Sequence, residues 1–289
     1  MTKGIDVSKY QGRINFDKVK KSGYKFVILN AGYGKFSSQK DPSFEENYTN
    51  ARKAGLYVGA YWYSYAETKA DAELEADVFL KVIKGKKFEY PVCFDIEDRC
   101  QTSLSQSQVG EIVTAFCNKC EKAGYYVCVY SYASFLNEKI PENVRKRYDI
   151  WVAHYGVEKP SFSGSYGMWQ YTSSQRIDGI ETNTDCDYSY KDYPAIMKAK
   201  GLNGFSASSS PVLEEKGYKY GDKSAGVYAL KALLEIAHSR KIISTEVSGN
   251  TLFDKSVQTA VNEYLSKKKY AVNGIAGEKF IRLLKAELT

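Results

Sequence analysis

Apolar residues recur along this chain in short runs punctuated by glycine, proline and polar clusters, and between the early runs they recur with helical spacing. Runs at Gly4–Ser8, Lys25–Ala31, Leu56–Tyr63, Pro91–Glu97, Tyr125–Ser131, Asp149–Tyr155, Gly167–Tyr171 and around Asp185–Tyr188 read as eight strands. Helical spacing predicts helices over Phe16–Ser22, Phe44–Ala54, Ala70–Ile83 and Gln106–Ala123. In the last of these, Val109, Ile112, Val113, Phe116, Cys117 and Cys120 share one face behind a Ser105-x-x-Gln108 capping box. Leu74, Val78, Phe79, Val82 and Ile83 repeat the pattern, and Ala54-Gly55 and Ala123-Gly124 turn the chain into the next strand.

Strands alternating with helices imply right-handed crossovers and a parallel sheet. Eight strands close such a sheet into a barrel. After Ser131 the helices thin out, so roughly 200 residues suffice where about 250 are usual. The expected fold is α/β, an irregular TIM-like β/α barrel with reduced helices. A Gly/Ser-rich linker is expected at residues 201–211, which bounds the barrel at 1–200. Residues 212–289 then carry three helical patterns, a small three-helix domain. Val227, Leu230, Leu233, Leu234 and Ala237 mark the first, Val257, Ala260, Val261, Tyr264 and Leu265 the second, and Phe280, Leu283 and Leu284 the third.

Composition adds limits. The net charge of +7 is spread thinly, with Lys267-Lys268-Lys269 the one run, so nucleic acid is not implied and weak attraction to an anionic surface is. No apolar run approaches the ~20 residues of a membrane span, so no membrane partner is expected. The six cysteines show no paired spacing, and no second Cys/His pair answers Cys117-x-x-Cys120. Reduced, buried thiols are expected, with no metal and no cofactor. The first strand starts almost at Met1, which leads to the expectation of synthesis in the cytoplasm without a leader.

The candidate chemistry lies at the strand ends. Pro91-Val92-Cys93-Phe94-Asp95-Ile96-Glu97-Asp98 is a buried strand that runs into acids. Asp95 and Glu97 are two apart and project to one face, so one carboxyl is pushed toward its neutral form. A neutral acid beside an anion is what cleaving a glycosidic bond requires. In a barrel of this kind the active site forms at the C-terminal ends of the strands. Those ends carry Asp6, Tyr33, Tyr61 and Tyr63, Asp95 and Glu97, Tyr130, His154, Trp169 and Gln170, and Asp187. Four carboxylates and a ring of aromatics at one rim describe a saccharide cleft. His154 reads as a strand-end residue bonded to backbone, and Asp98 as a solvated loop residue. Trp62 and Trp151 read as packing between barrel and helices, out of phase with the rim. Asp185 shares a strand face with Asp187, which is taken as the site residue.

Gly4-Ile5-Asp6-Val7-Ser8-x-x-Gln11-Gly12 resembles the opening motif of the glycoside hydrolase family 25 lysozymes, the N-acetylmuramidases. So do Ala31-Gly32-Tyr33-Gly34, Gly59-Ala60-Tyr61-Trp62-Tyr63, Asp95-x-Glu97, Trp169-Gln170-Tyr171 and Asp185-Cys186-Asp187, in order, from residue 3 to about 194. The resemblance implies hydrolysis of the β-1,4 bond between N-acetylmuramic acid and N-acetylglucosamine in bacterial peptidoglycan, which is then the partner. It implies that Glu97 is the proton donor, that Asp95 orients or stabilises the acetamido group, and that Asp6 and Asp187 are flanking carboxylates. Tyr33, Tyr61, Tyr63, Tyr130, Trp169 and Gln170 are the sugar-binding candidates. Residues Phe253-Asp254-Lys255 to Val261 and Val272-Asn273-Gly274 to Phe280 resemble the type 1 peptidoglycan-binding module, with Lys231 where that family usually has Gln. A phage or prophage endolysin that reaches the wall after release is the expected class, with a secreted autolysin or an inactive wall-adhesion protein as alternatives. Because Asp95 and Glu97 lie on one side of the sugar, retention through the substrate's own N-acetyl oxygen is favoured over inversion with Asp6 or Asp187 activating water.

Overall fold

A computed structural model describes residues 1–206 and 213–289, which fall into two compact units, Met1–Ser208 and Ser209–Thr289. In the first, strands β1 (Thr2–Val7), β2 (Phe26–Tyr33), β3 (Tyr57–Tyr63), β4 (Val92–Asp95), β5 (Val127–Tyr132), β6 (Asp149–Ala153), β7 (Met168–Gln175) and β8 (Thr184–Ser189) close into a barrel in chain order. Helices α1 (Phe16–Lys21), α2 (Phe44–Lys53), α3 (Lys69–Ile83) and α4 (Gln106–Lys122) cover the first half, as their periodicity predicts. The capping box at Ser105 and Gln108 is formed. Only the short α5 (Ala133–Glu138) and α6 (Glu142–Arg147) follow before β6, so the second half is thinly covered.

The sheet is mixed rather than all parallel. Strands β1 to β7 pair in parallel, but β8 is antiparallel to both β7 and β1. The cause is the connection: residues 176–183 contain no helix, and a parallel return needs a crossover of about a dozen residues or more. The rim formed by the C-terminal ends of β1–β7 therefore meets the N-terminal end of β8. Asp185 pairs with Asp6, and Asp187 pairs with Gly4 one level down.

Alternation along each strand divides the side chains between two cores. Ile5, Val27, Leu29, Val58, Ala60, Trp62, Phe94, Val129 and Val152 point outward under the helices. Phe26, Ile28, Cys93, Cys128, Tyr130, Trp151 and Met168 fill the barrel. A side chain at Gly4 would lie 2.2 Å from the Phe26 ring, which stacks on Tyr90 at 4.0 Å across the barrel floor. Trp62 packs on Phe79 outside the barrel as expected. Trp151 does not; it lies inside.

Below the floor, α7 (Tyr193–Lys200) packs against the inner core through Tyr193 and Met197. The expected linker does not begin at residue 201. Asn203 is fully buried, takes a left-handed turn at φ 56°, and bonds Tyr126 N–H and Tyr90 O through its side chain. Residues 201–206 are thus part of the barrel unit, and residues 207–211 of the expected linker lie outside the described residues.

The second unit packs α8 (Ala225–Ser239), α9 (Lys255–Lys267) and α10 (Glu278–Leu288) around Leu230, Leu234, Val257, Val261, Tyr264, Phe280 and Leu284. Leu283 is exposed rather than buried. Lys231 is wholly buried, its Nζ held by Asn250 Oδ1 at 2.8 Å and Asp254 Oδ2 at 2.7 Å. Asp254 also caps α9, so its carboxyl, pulled down to about 2 against the cost of burial, ties α8 to the start of α9. All six cysteines are free thiols.

Candidate active site

A cleft of about 380 Å³ opens at the rim of the barrel. A larger groove of about 900 Å³ runs outside it past α3, α4 and α6, but it holds no buried carboxyl and is lined by solvated polar residues such as Lys69, Glu73 and Lys122. Chemistry, not size, marks the site. Asp6, Asp95, Glu97 and Asp185 all line the smaller cleft. Among the residues named from the sequence, Tyr33, Tyr61, Tyr63, Tyr130 and Gln170 line it as well.

Strand β4 ends at Asp95, yet Glu97 keeps the same side because the ladder runs on for one more residue. Ile96 N–H donates to Tyr130 O at 3.1 Å, and Ser131 Oγ donates to Ile96 O at 2.6 Å. On β2 a bulge between Asn30 and Gly32 brings both Asn30 and Tyr33 to the cleft. Only glycine fits the bulge: Gly32 has φ 146°, and a side chain there would meet Gln39 O and the Trp62 ring at 2.6 Å.

Two of the named residues lie elsewhere. Trp169 faces away from the barrel interior, between Met168 and Gln170, which face in; its indole donates to His154 O at 2.8 Å. Asp187 lies beneath the cleft, wholly buried, and accepts from Trp151 Nε1 at 2.8 Å. The reversed direction of β8 explains this: the rim end of an antiparallel strand is its start, which is Asp185. Trp151 lines the cleft because Asp149, Trp151 and Ala153 share the inner face of β6. Taking His154 as the rim residue inverts that phase. His154 lies beyond the strand, where its Nδ1 accepts Ser161 N–H at 3.0 Å. Asn30, Tyr155, Tyr10 and Tyr65 also line the cleft and carry no sequence signal beyond residue type. Asp98 is no free loop residue, since its Oδ2 accepts the Tyr63 hydroxyl at 3.0 Å.

A polar chain crosses the floor. Gln170 Nε2 donates to Asp6 Oδ2 at 2.7 Å, and Gln170 Oε1 accepts from Tyr130 at 2.8 Å and Tyr155 at 2.5 Å. Burial, with the charges of Asp187 and Asp185 added, lifts the Asp6 carboxyl well above its usual range. Burial likewise lifts Asp187, and Asp185 is pushed up to about 6 by burial. Burial, then the charge of Glu97, raises Asp95 well above its ordinary value. Glu97, whose charge faces that of Asp95, is pushed up to about 7, first by burial and then by Asp185 and Asp98. Among the described residues no hydrogen bond reaches Asp95 Oδ1, although that atom is buried. A second hollow of about 570 Å³, lined by Tyr132, Asn137 and His154, adjoins the first at Glu97 and Tyr155. The arrangement supplies a proton held near neutrality at the junction of two hollows, beside a buried oxygen able to accept a hydrogen bond.

Residues 5–180 match the family described as Glycosyl hydrolases family 25. An autolytic lysozyme of Clostridium acetobutylicum is 34% identical over 187 residues, covering 64% of this chain and 55% of its own length. This chain therefore spans about half the length of that relative. The crystal structure of the CTP1L endolysin is 27% identical, with a TM-score of 0.61 over 82% of this chain and 79% of the other. The modular autolysin LytC from Streptococcus pneumoniae, solved in complex with a synthetic peptidoglycan ligand, is 31% identical. Its TM-score is 0.56 over 64% of this chain and 46% of the other.

Proposed function

From the premise that the chain belongs to glycosyl hydrolases family 25, we propose that its barrel is a lysozyme that hydrolyses the β-1,4 bond between N-acetylmuramic acid and N-acetylglucosamine in bacterial peptidoglycan. One observation carries the reading. Glu97 stands where two hollows meet, with its carboxyl pushed up to about 7, which is where the donor of a proton to a leaving oxygen has to stand.

In the proposed sequence, neutral Glu97 gives its proton to the glycosidic oxygen as the C1–O bond breaks. The substrate's acetamido oxygen attacks C1 from the opposite side, and Asp95 Oδ1 accepts the amide N–H and steers it. The absence of a partner for that buried oxygen supports this role. Water then opens the oxazolinium ring, giving its proton to the Glu97 carboxylate, and the anomer is retained. Asp6, fixed by Gln170, holds the floor of the sugar site. Mass spectrometry of fragments released from purified walls tests the activity: reducing muramic acid ends are expected, and intact walls would refute it. Product NMR tests the route, with a β-anomer first expected. An α-anomer first would replace it with inversion and make Asp185 the base that activates water.

The proposed class is an endolysin whose second unit holds it to the wall. Support comes from the likeness to the CTP1L endolysin, which covers 82% of the chain, more than the first unit's 208 of 289 residues. The motifs from Phe253 to Val261 and from Val272 to Phe280 support wall binding. Cosedimentation of the full chain carrying Glu97→Gln with purified walls, against a chain ending at Ser206, tests it; equal retention would sink the wall-binding reading.

A further inference from the structure

Glu75 lies on α3, outside the cleft, and the reaction above does not use it. It is 1% exposed. Its Oε1 accepts Tyr65 N–H at 2.9 Å, and its Oε2 has no partner among the described residues. A buried carboxyl with one oxygen unmatched is costly to keep. What it holds is the loop Ser64–Ala66, which joins β3 to α3.

Gln101, also fully buried, grips the same loop from the other side. Its Nε2 donates to Ser64 O at 3.1 Å and Ala66 O at 3.2 Å, while its Oε1 accepts Asp98 N–H at 3.0 Å. Ser64 N–H donates to Asp95 O at 2.9 Å, so the loop is tied to the end of β4. Tyr65 presents its ring to solvent, 44% exposed, and meets Tyr33 edge-on at 5.9 Å and Tyr63 at 5.2 Å. All three tyrosines line the cleft.

We propose that Glu75 is a positioning residue that, with Gln101, clamps Ser64–Ala66 so that Tyr65 stands fixed beside Tyr63 as a wall against the sugar. The clamp then sets how well substrate is held rather than how fast the bond breaks. This rests on the hydrolase reading above. The chemistry of the clamp follows from its place: the Tyr65 N–H faces the closed space between barrel and helices, and an acceptor must be supplied there. A side chain that offers none frees the loop, and a stacking surface displaced by about 1 Å loses much of its hold.

The test is the kcat and KM of the full chain on soluble peptidoglycan fragments, for wild type, Glu75→Ala, Glu75→Gln, Tyr65→Ala and the Glu75→Ala/Tyr65→Ala pair. Glu75→Ala is expected to raise KM about tenfold with kcat changed by less than about twofold. Glu75→Gln keeps an acceptor for Tyr65 N–H and restores the wild-type KM. The pair is expected to be no worse than Tyr65→Ala alone. Multiplying effects in the pair, or a Gln variant as impaired as the Ala variant, would overturn the clamp. If Glu75→Ala does not fold in thermal melts, Tyr65→Ala still decides, because an unchanged KM in that surface variant overturns the proposal. A wild-type chain that releases no fragments overturns the hydrolase reading itself; an active wild type with unaltered variants overturns only the clamp.

Discussion

The acids supplied by β4 and those supplied by the β1–β8 seam belong to one site and are all deeply or largely buried, yet they are connected differently. Asp6 is fixed by Gln170, and Asp187 by Trp151 through Oδ1, so each of these two has a protein partner that sets its orientation, whereas Asp185 at the mouth of the same seam has none among the described residues. Asp95 and Glu97 have no such partner among the described residues, and what holds them in place is the backbone ladder to β5. A carboxyl anchored by a side-chain donor is committed to structure. One held by backbone alone, at the mouth of the cleft, keeps its lone pairs and its proton for a substrate. The contrast separates residues that build the floor from residues that react on it.

The largest expected effect comes from the unpartnered side. Glu97→Gln should lower kcat by on the order of a thousandfold while wall binding in cosedimentation persists. Activity that survives would put the proton donor elsewhere. Asp95→Asn should cost about a hundredfold, because its amide offers a donor as well as an acceptor to the acetamido group. A loss as small as twofold would show that the free oxygen of Asp95 has no part in the reaction.

The pH dependence sharpens the same comparison. Glu97 must be protonated to act, so kcat/KM should fall as pH rises through about 7, and a flat profile to pH 9 would contradict the assignment. The sign for stability follows from the same raised value. The folded state binds the Glu97 proton more tightly than the unfolded chain does, with about 7 against the ordinary 4.5. The resulting stability is fully present below about 4.5 and is lost as pH rises through about 7. Glu97→Gln carries no charge to bury, so at pH 8 it should unfold in urea on the order of 2 kcal/mol later than wild type. The gap should close toward pH 4.

The smallest effect belongs to Trp169, which the fold places outside the cleft. Trp169→Phe should leave KM within about twofold and cost about 1 kcal/mol of stability through the lost bond to His154 O. A tenfold rise in KM would return it to the sugar site.

Much of this site was legible in the order of residues. Asp95 and Glu97 announce themselves because a buried strand has no reason to end in acids, and period-two spacing then puts both on one face. Asp6, Tyr61, Tyr63 and Tyr130 follow by the same phase. The direction of β8 was not legible from its residues, because direction depends on the length and content of the connection before it. That is why the sequence places Asp187 at the rim and passes over Asp185. Trp151 was lost to a phase error of one residue, which exchanges the two faces of a strand. Glu75 and Gln101 left no trace, since a lone polar residue on a helix or in a loop gains its meaning only from the backbone it meets.

The pairing of β1 with β8 also has a consequence for how the chain is made. The first strand cannot complete its second ladder until residues near Ser189 have left the ribosome. At about 5–20 residues per second that interval is on the order of tens of seconds. Throughout it the nascent sheet carries an open edge, the feature that recruits other chains into aggregates. Slowed translation or a missing β8 should therefore show first as insoluble protein, before any defect in catalysis can be measured.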